Sequence, residues 1–176
     1  MPNFRSGQTP GAWWSTTVVS GVGIEDVQID LTSAGSVSNG VIFLNAYNSW
    51  MRNVHSRWAG QRSHVWMYGS KNITVRDSYF YEGQAHASQS YGVETFTASD
   101  CLIENNIFQK VTAPVIFNGT GHGCVVGYNY MREMTYGTPT WMIPSNDHHA
   151  TGVGYILHEG NIGTGLIFDN VHGPVT

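Results

Sequence analysis

The sequence predicts an all-β protein: a parallel β-helix, a solenoid of about six coils. Three observations carry that prediction. The first is composition. Lys, Arg, Asp and Glu make up only 11% of the 176 residues, alongside 21 glycines and 12% aromatics. Low charge with abundant Gly and β-branched residues favours strands and tight turns over helices or disorder. The second is a pair of apolar rows that recur in step. The third is an Asn or Asp at a fixed offset from one of them.

The first row is anchored by Ile24 (GIEDVQID), Met51 (WMRNVHS), Val75 (NITVRDSYF), Ile103 (DCLIENNIFQKV), Val126 (GCVVGYNYMREM) and Ile167 (TGLIFDNV), at steps of 27, 24, 28, 23 and 41 residues. Two places after the anchor stands Asp26, Asn53, Asp77, Asn105 or Asp169, with Tyr128 the exception. One place further, Asn106, Asn129 and Asn170 coincide. The second row is Val41 (GVIFLNA), Val65 (HVWMYGS), Val93 (GVETFTA), Val115 (PVIFNGT) and Tyr155 (GYILHEG), at steps of 24, 28, 22 and 40. Insertions in one row are matched in the other, as expected of a repeat.

Each unit reads as strand, one- or two-residue polar corner, strand, variable loop, strand. Units this short bury no face alone, so they stack, each coil hydrogen-bonding to the next roughly 4.8 Å away. Asn and Asp tolerate the left-handed backbone of a sharp corner, and stacked amides can bond along the axis. An antiparallel sandwich of similar composition would place Asn-Gly or Asp-Gly hairpin turns in register. The Asn-Gly pairs here do not recur that way. Residues 1–176 therefore read as one domain: a lead-in at 1–20, coils at 21–173, a first insertion at 82–90 and a long loop at 132–152. Open solenoid ends are sticky, so the chain is expected either to continue in a longer protein or to associate end to end.

Several classes are disfavoured. A net charge of −4 lacks the basic footprint of a nucleic-acid binder. No apolar run approaches the ~18 residues of a membrane span. The start has neither the basic nor the apolar region of a signal peptide, as in a processed secreted protein or a piece of a longer one. Two cysteines make neither a disulfide framework nor a four-cysteine zinc site. Cys101 and Cys124 hold equivalent places on successive coils, where in-register strands aim both sulfurs the same way. Buried stacked thiols are expected.

In coil length, Asn/Asp corner and apolar rows, residues 21–173 resemble the right-handed parallel β-helix family of pectate lyases and polygalacturonases. The resemblance implies a right-handed helix, a polysaccharide substrate, a secreted or cell-surface location, and a cleft on the outer face of the strand that follows the longest loops. Here that strand is the Val41 row. Side chains alternate along a strand, so its first and third positions fill the core. Its second and fourth face out: Ile42/Leu44, Trp66/Tyr68, Glu94/Phe96, Ile116/Asn118 and Ile156/His158. Aromatics stack on sugar rings while amide, carboxylate and imidazole groups take hydroxyls. The expected floor is Trp66, Tyr68, Glu94, Phe96, Asn118 and His158, with the 132–152 loop as a wall. A smaller second core under those loops is the competing reading of the same stripe.

Glu94, the single carboxylate on that floor, is the expected general acid, desolvated by Trp66 and Phe96. Asn146-Asp147-His148-His149 would supply the second group that glycoside hydrolysis needs, or a metal site with His158 or His122 nearby. Gly121-His122-Gly123 resembles the Gly-His-Gly motif of polygalacturonases, and Asp100 should lie one coil below it. The family's paired aspartates are absent, since Ser99 fills the other place. No cofactor is expected: the floor has too few carboxylates for a calcium cage and no Arg or Lys to act as a lyase base. Three functions stay open: hydrolysis of an extracellular polysaccharide, β-elimination on the same face by His158 and Tyr68, and a structural or adhesive segment without turnover.

Overall fold

The computed structural model describes residues 6–138, 144–173 and 175. Among them there is no α-helix, only one 3-10 turn at Ser6–Gln8. Every strand pair is parallel, and the strands form three sheets wound as a β-solenoid of about six turns. The first sheet stacks Ala46–Arg52, Lys71–Arg76, Leu102–Glu104, Val125–Gly127 and Leu157–Glu159, with Val19–Ser20 and Gly23–Glu25 both pairing to Ala46–Arg52. The second stacks Gln28–Asp30, His55–Arg57, Tyr79–Tyr81, Ile107–Gln109 and Tyr130–Arg132. The third stacks Asn39–Leu44, Ser63–Tyr68, Tyr91–Phe96, Ala113–Asn118, Asn146–His148 and Leu166–Phe168.

The corner between the first and second sheets is where the predicted Asn/Asp row falls. Asp26, Asn53, Asp77, Asn105 and Tyr128 all take left-handed backbone, with φ between 50° and 56°. Glycine does the same at Gly160. Outside the corner, Asn53 Nδ2 donates to Asp26 Oδ1 at 2.8 Å and Asn105 Nδ2 to Asp77 Oδ1 at 2.7 Å. Inside it runs a second amide ladder. Asn106 Nδ2 donates to Asn129 Oδ1, and Asn129 Nδ2 to Asn161 Oδ1, both at 3.0 Å. These amides also take up backbone groups the corner would otherwise orphan, such as the carbonyls of Val75 and Ile103.

Inward side chains form columns along the axis. Val65, Val93 and Val115 are fully buried, as are Val75, Ile103 and Val126. Phe80 and Phe108 stack at 4.8 Å. Fully burying one such side chain stabilises the fold by roughly 1.5–3 kcal/mol. Cys101 and Cys124 are free buried thiols on neighbouring rungs, with the Cys101 amide 3.4 Å from the Cys124 sulfur.

The register expected for the last coils is corrected. Val126 pairs with His158 in the first sheet, and Val115 pairs with Asn146 in the third. Ile167 belongs to the third sheet, opposite Asp147. Tyr155 is no rung of the third sheet, and Asp169 and Asn170 are not corner residues. The 132–152 segment is thus not one loop, because it contains a strand, Asn146–His148. The reason is physical. The inward residues of this rung are Asn146 and His148, and the matching inward residue of the first sheet is His158, so a search for apolar anchors steps over both.

Candidate functional site

The outer face of the third sheet carries two columns. Register makes the first Ile42, Trp66, Glu94, Ile116, Asp147 and Ile167. The second, two residues along each strand, begins Leu44, Tyr68, Phe96 and Asn118. It continues with His149 and Asp169, whose amides follow on from the strand ladders. The face therefore divides. Its early rungs form a ring platform, with Trp66–Tyr68 centroids at 5.1 Å and Tyr68–Phe96 at 5.4 Å. Its late rungs carry the ionisable groups.

Glu94 faces outward as expected, but it is 0% exposed. Arg62, just ahead of its own strand, folds over it: Nε donates to Oε2 at 2.8 Å and Nη2 to Oε1 at 2.6 Å. Asn118 Nδ2 adds a bond to Oε1 at 3.1 Å. The guanidinium lies 5.9 Å from the Trp66 ring and 5.6 Å from that of Tyr91, and its bonds to Glu94 raise its already high pKa. The expectation that this face lacks a cation is corrected. Arg62 lies in a turn rather than on the strand face, so alternation does not point to it.

Asp147, His149 and Asp169 converge. One donor atom from each lies within 4.8 Å of the others. Asp147 and His149 share a face because they are two apart on one rung, and Asp169 comes from the next. His149 Nδ1 is hydrogen-bonded to Asp169 Oδ2, and His149 Nε2 lies 3.1 Å from His172 Nε2. The three residues line a cavity of about 350 Å³ with Tyr91, Ile116 and Gln89. Asp147 is 9% exposed, and its Oδ1 has no hydrogen-bond partner among the described residues. Burial first, then the charge of Asp169, pushes its carboxyl up to about 6. The first insertion (Gln89) and the second (Pro144) both reach this cavity, so both loops line the face as expected. The part of the wall at 139–143 lies outside the described residues.

His148 and His158 are corrected in place: both point into the solenoid, not onto the outer face. They come from opposite sheets and meet Nε2 to Nε2 at 2.8 Å, so one ring donates and the other accepts. Both Nδ1 atoms are buried without a partner among the described residues. Burial, then the neighbouring His158, lowers His148 to about 4, and burial lowers His158 as well.

Asp100 and His122 do sit on neighbouring coils, joined by a backbone bond of 2.9 Å. The Asp100 carboxylate turns outward to Lys71 at 3.2 Å, and the His122 ring lies 5.9 Å from Tyr155. Neither reaches the third sheet's ionisable cluster. The residues that sequence reasoning missed are Arg62, Asp169 and His172. For Asp169 a signal exists: LIFDN (166–170) repeats the VIF of residues 41–43 and 115–117, which marks it as a rung of the third sheet.

No family model matches the chain, and no curated protein or solved structure shows significant similarity to it. No helix among the described residues is long and apolar enough to cross a membrane.

Proposed function

We propose that the outer face of the third sheet binds an extracellular polysaccharide and cleaves it by glycosidic hydrolysis. The observation that carries this reading is the convergence of Asp147, His149 and Asp169 within 4.8 Å, on the same face as the Trp66–Tyr68–Phe96 rings. Two carboxyl groups this close fall on the short side of the range used by glycosidases, nearer the roughly 5–5.5 Å of those that retain configuration than the wider spacing of those that invert it. Asp147, the more buried, would protonate the leaving oxygen. Asp169, oriented by His149, would act as the second carboxylate. Glu94 gives up the acid's role because Arg62 and Asn118 occupy both its oxygens. It instead holds Arg62 beside the rings, where a cation can meet sugar hydroxyls or uronate groups. The architectural resemblance to pectate lyases and polygalacturonases supports a polysaccharide substrate, and with it a secreted or cell-surface protein.

The test is a polysaccharide panel scored for reducing ends and for unsaturated-uronate absorbance. Reducing ends alone are expected, falling at least ~100-fold in Asp147→Asn and Asp169→Asn at unchanged unfolding midpoint. Absorbance together with reducing ends would replace hydrolysis by elimination. Binding without products would leave an adhesive segment.

A further inference from the structure

We propose that Asp147, His149 and Asp169 form a binding site for one divalent transition-metal ion of the zinc or manganese class. The inference goes beyond the cleavage reading: a cation held by both carboxylates would withdraw them from proton transfer, so the metal-bound chain would be a non-cleaving form of the same site.

Four observations support it. The donor atoms come from two adjacent rungs and already lie within 4.8 Å of one another. Tetrahedral donors at zinc bond lengths of roughly 2.0–2.1 Å stand about 3.3 Å apart, so the set has to close by no more than about 1.5 Å to meet one ion. Asp147 is nine-tenths buried, lines the same cavity, and brings an Oδ1 that no described group satisfies. An unsatisfied buried oxygen destabilises the fold, and a cation would supply its partner. His149 Nδ1 and Asp169 Oδ2 face each other in a hydrogen bond, in the place where a metal would bridge them. His172 stands behind His149, 3.1 Å from its far nitrogen. It can accept that N–H and hold the ring with Nδ1 turned to the metal, as outer partners of ligating histidines do.

The chemistry of the donors selects the ion. One imidazole with two carboxylates suits zinc or manganese, whereas calcium asks for six to eight oxygens.

The experiment is calorimetric titration of the full chain with zinc chloride. One zinc per chain is expected. Affinity should fall at least ~100-fold in His149→Ala and in Asp169→Asn, and roughly 10-fold in His172→Ala. His122→Ala, distant from the cluster, should bind as the parent does. Absence of saturable zinc binding overturns the proposal. So does binding that survives His149→Ala and Asp169→Asn, or that is lost in His158→Phe instead, which would move the ion to the histidine pair inside the solenoid. The readout needs no turnover, so a chain that binds zinc and, when metal-free, cleaves nothing keeps this inference and loses the cleavage reading.

Discussion

Acid should destabilise this protein in part through His64. Its ring lies inside the solenoid, 1% exposed, between Ser56 of the second sheet and the edge of Phe80. Ser56 Oγ is 2.9 Å from Nδ1, while Nε2 is buried without a partner among the described residues. An imidazolium needs two acceptors, and only one is present. Burial alone therefore lowers the group from 6.5 to about 3. Because the folded-state value is depressed, the unfolded chain binds the proton first. Stability is complete above about pH 6.5 and drains away as pH falls toward 3. At roughly 1.4 kcal/mol per unit, the loss reaches about 3 kcal/mol at pH 4.5 and about 5 kcal/mol at the lower limit. In a chain of this length, 3 kcal/mol corresponds to roughly 6–12 °C in unfolding midpoint. The assay is the midpoint at pH 7.5, 6 and 4.5 for the parent and for Ser56→Ala/His64→Leu, which removes the titrating ring and its partner together. His148, His158 and Asp147 titrate in both proteins and cancel in the difference. The variant's midpoint should fall less steeply with acid. Parallel curves would refute the argument.

Two further outcomes follow from buried polar groups. Arg62→Ala leaves the Glu94 carboxylate buried without its cation and should cost about 3–5 kcal/mol in urea unfolding; adding Glu94→Gln should recover part of that loss. Asn129→Leu keeps the branched shape but cuts the internal amide ladder on both sides, leaving Asn106, Asn161 and Ile103 without their partner. Several unsatisfied groups at about 1–3 kcal/mol each should lower stability by on the order of 4 kcal/mol, with amide hydrogen exchange rising first around residues 103–106 and 129–131.

Much of the architecture is legible from the chain because a stacked coil leaves a signature at each turn. Met51, Val75, Ile103 and Val126 must be apolar to fill one column, and Asp26, Asn53, Asp77 and Asn105 must accept a left-handed corner. The reading fails at the rungs that break this rule. Asn146, His148 and His158 face inward yet are polar: the two imidazoles meet each other across the lumen, and the Asn146 amide turns to Ser145 and Met131. The imidazole contact joins residues whose pairing no periodicity states. The outer face was half legible. Alternation brought Trp66, Tyr68, Glu94, Phe96 and Asn118 to one surface. Asp147 and His149 stand in a segment whose length reads as a loop but which holds the strand Asn146–His148, and Asp169 reads as a corner from its offset to Ile167.

By itself, the sequence determined the coil period, the left-handed corners, the apolar columns and the ring platform, because each depends on local spacing repeated along one axis. Tertiary structure alone decided that Arg62 closes over Glu94, that His148 meets His158, and that Asp147, His149 and Asp169 meet on one face. These are contacts between rungs separated by loops of unequal length. The offset between such rungs is set by how the loops pack, and no repeat in the chain records it.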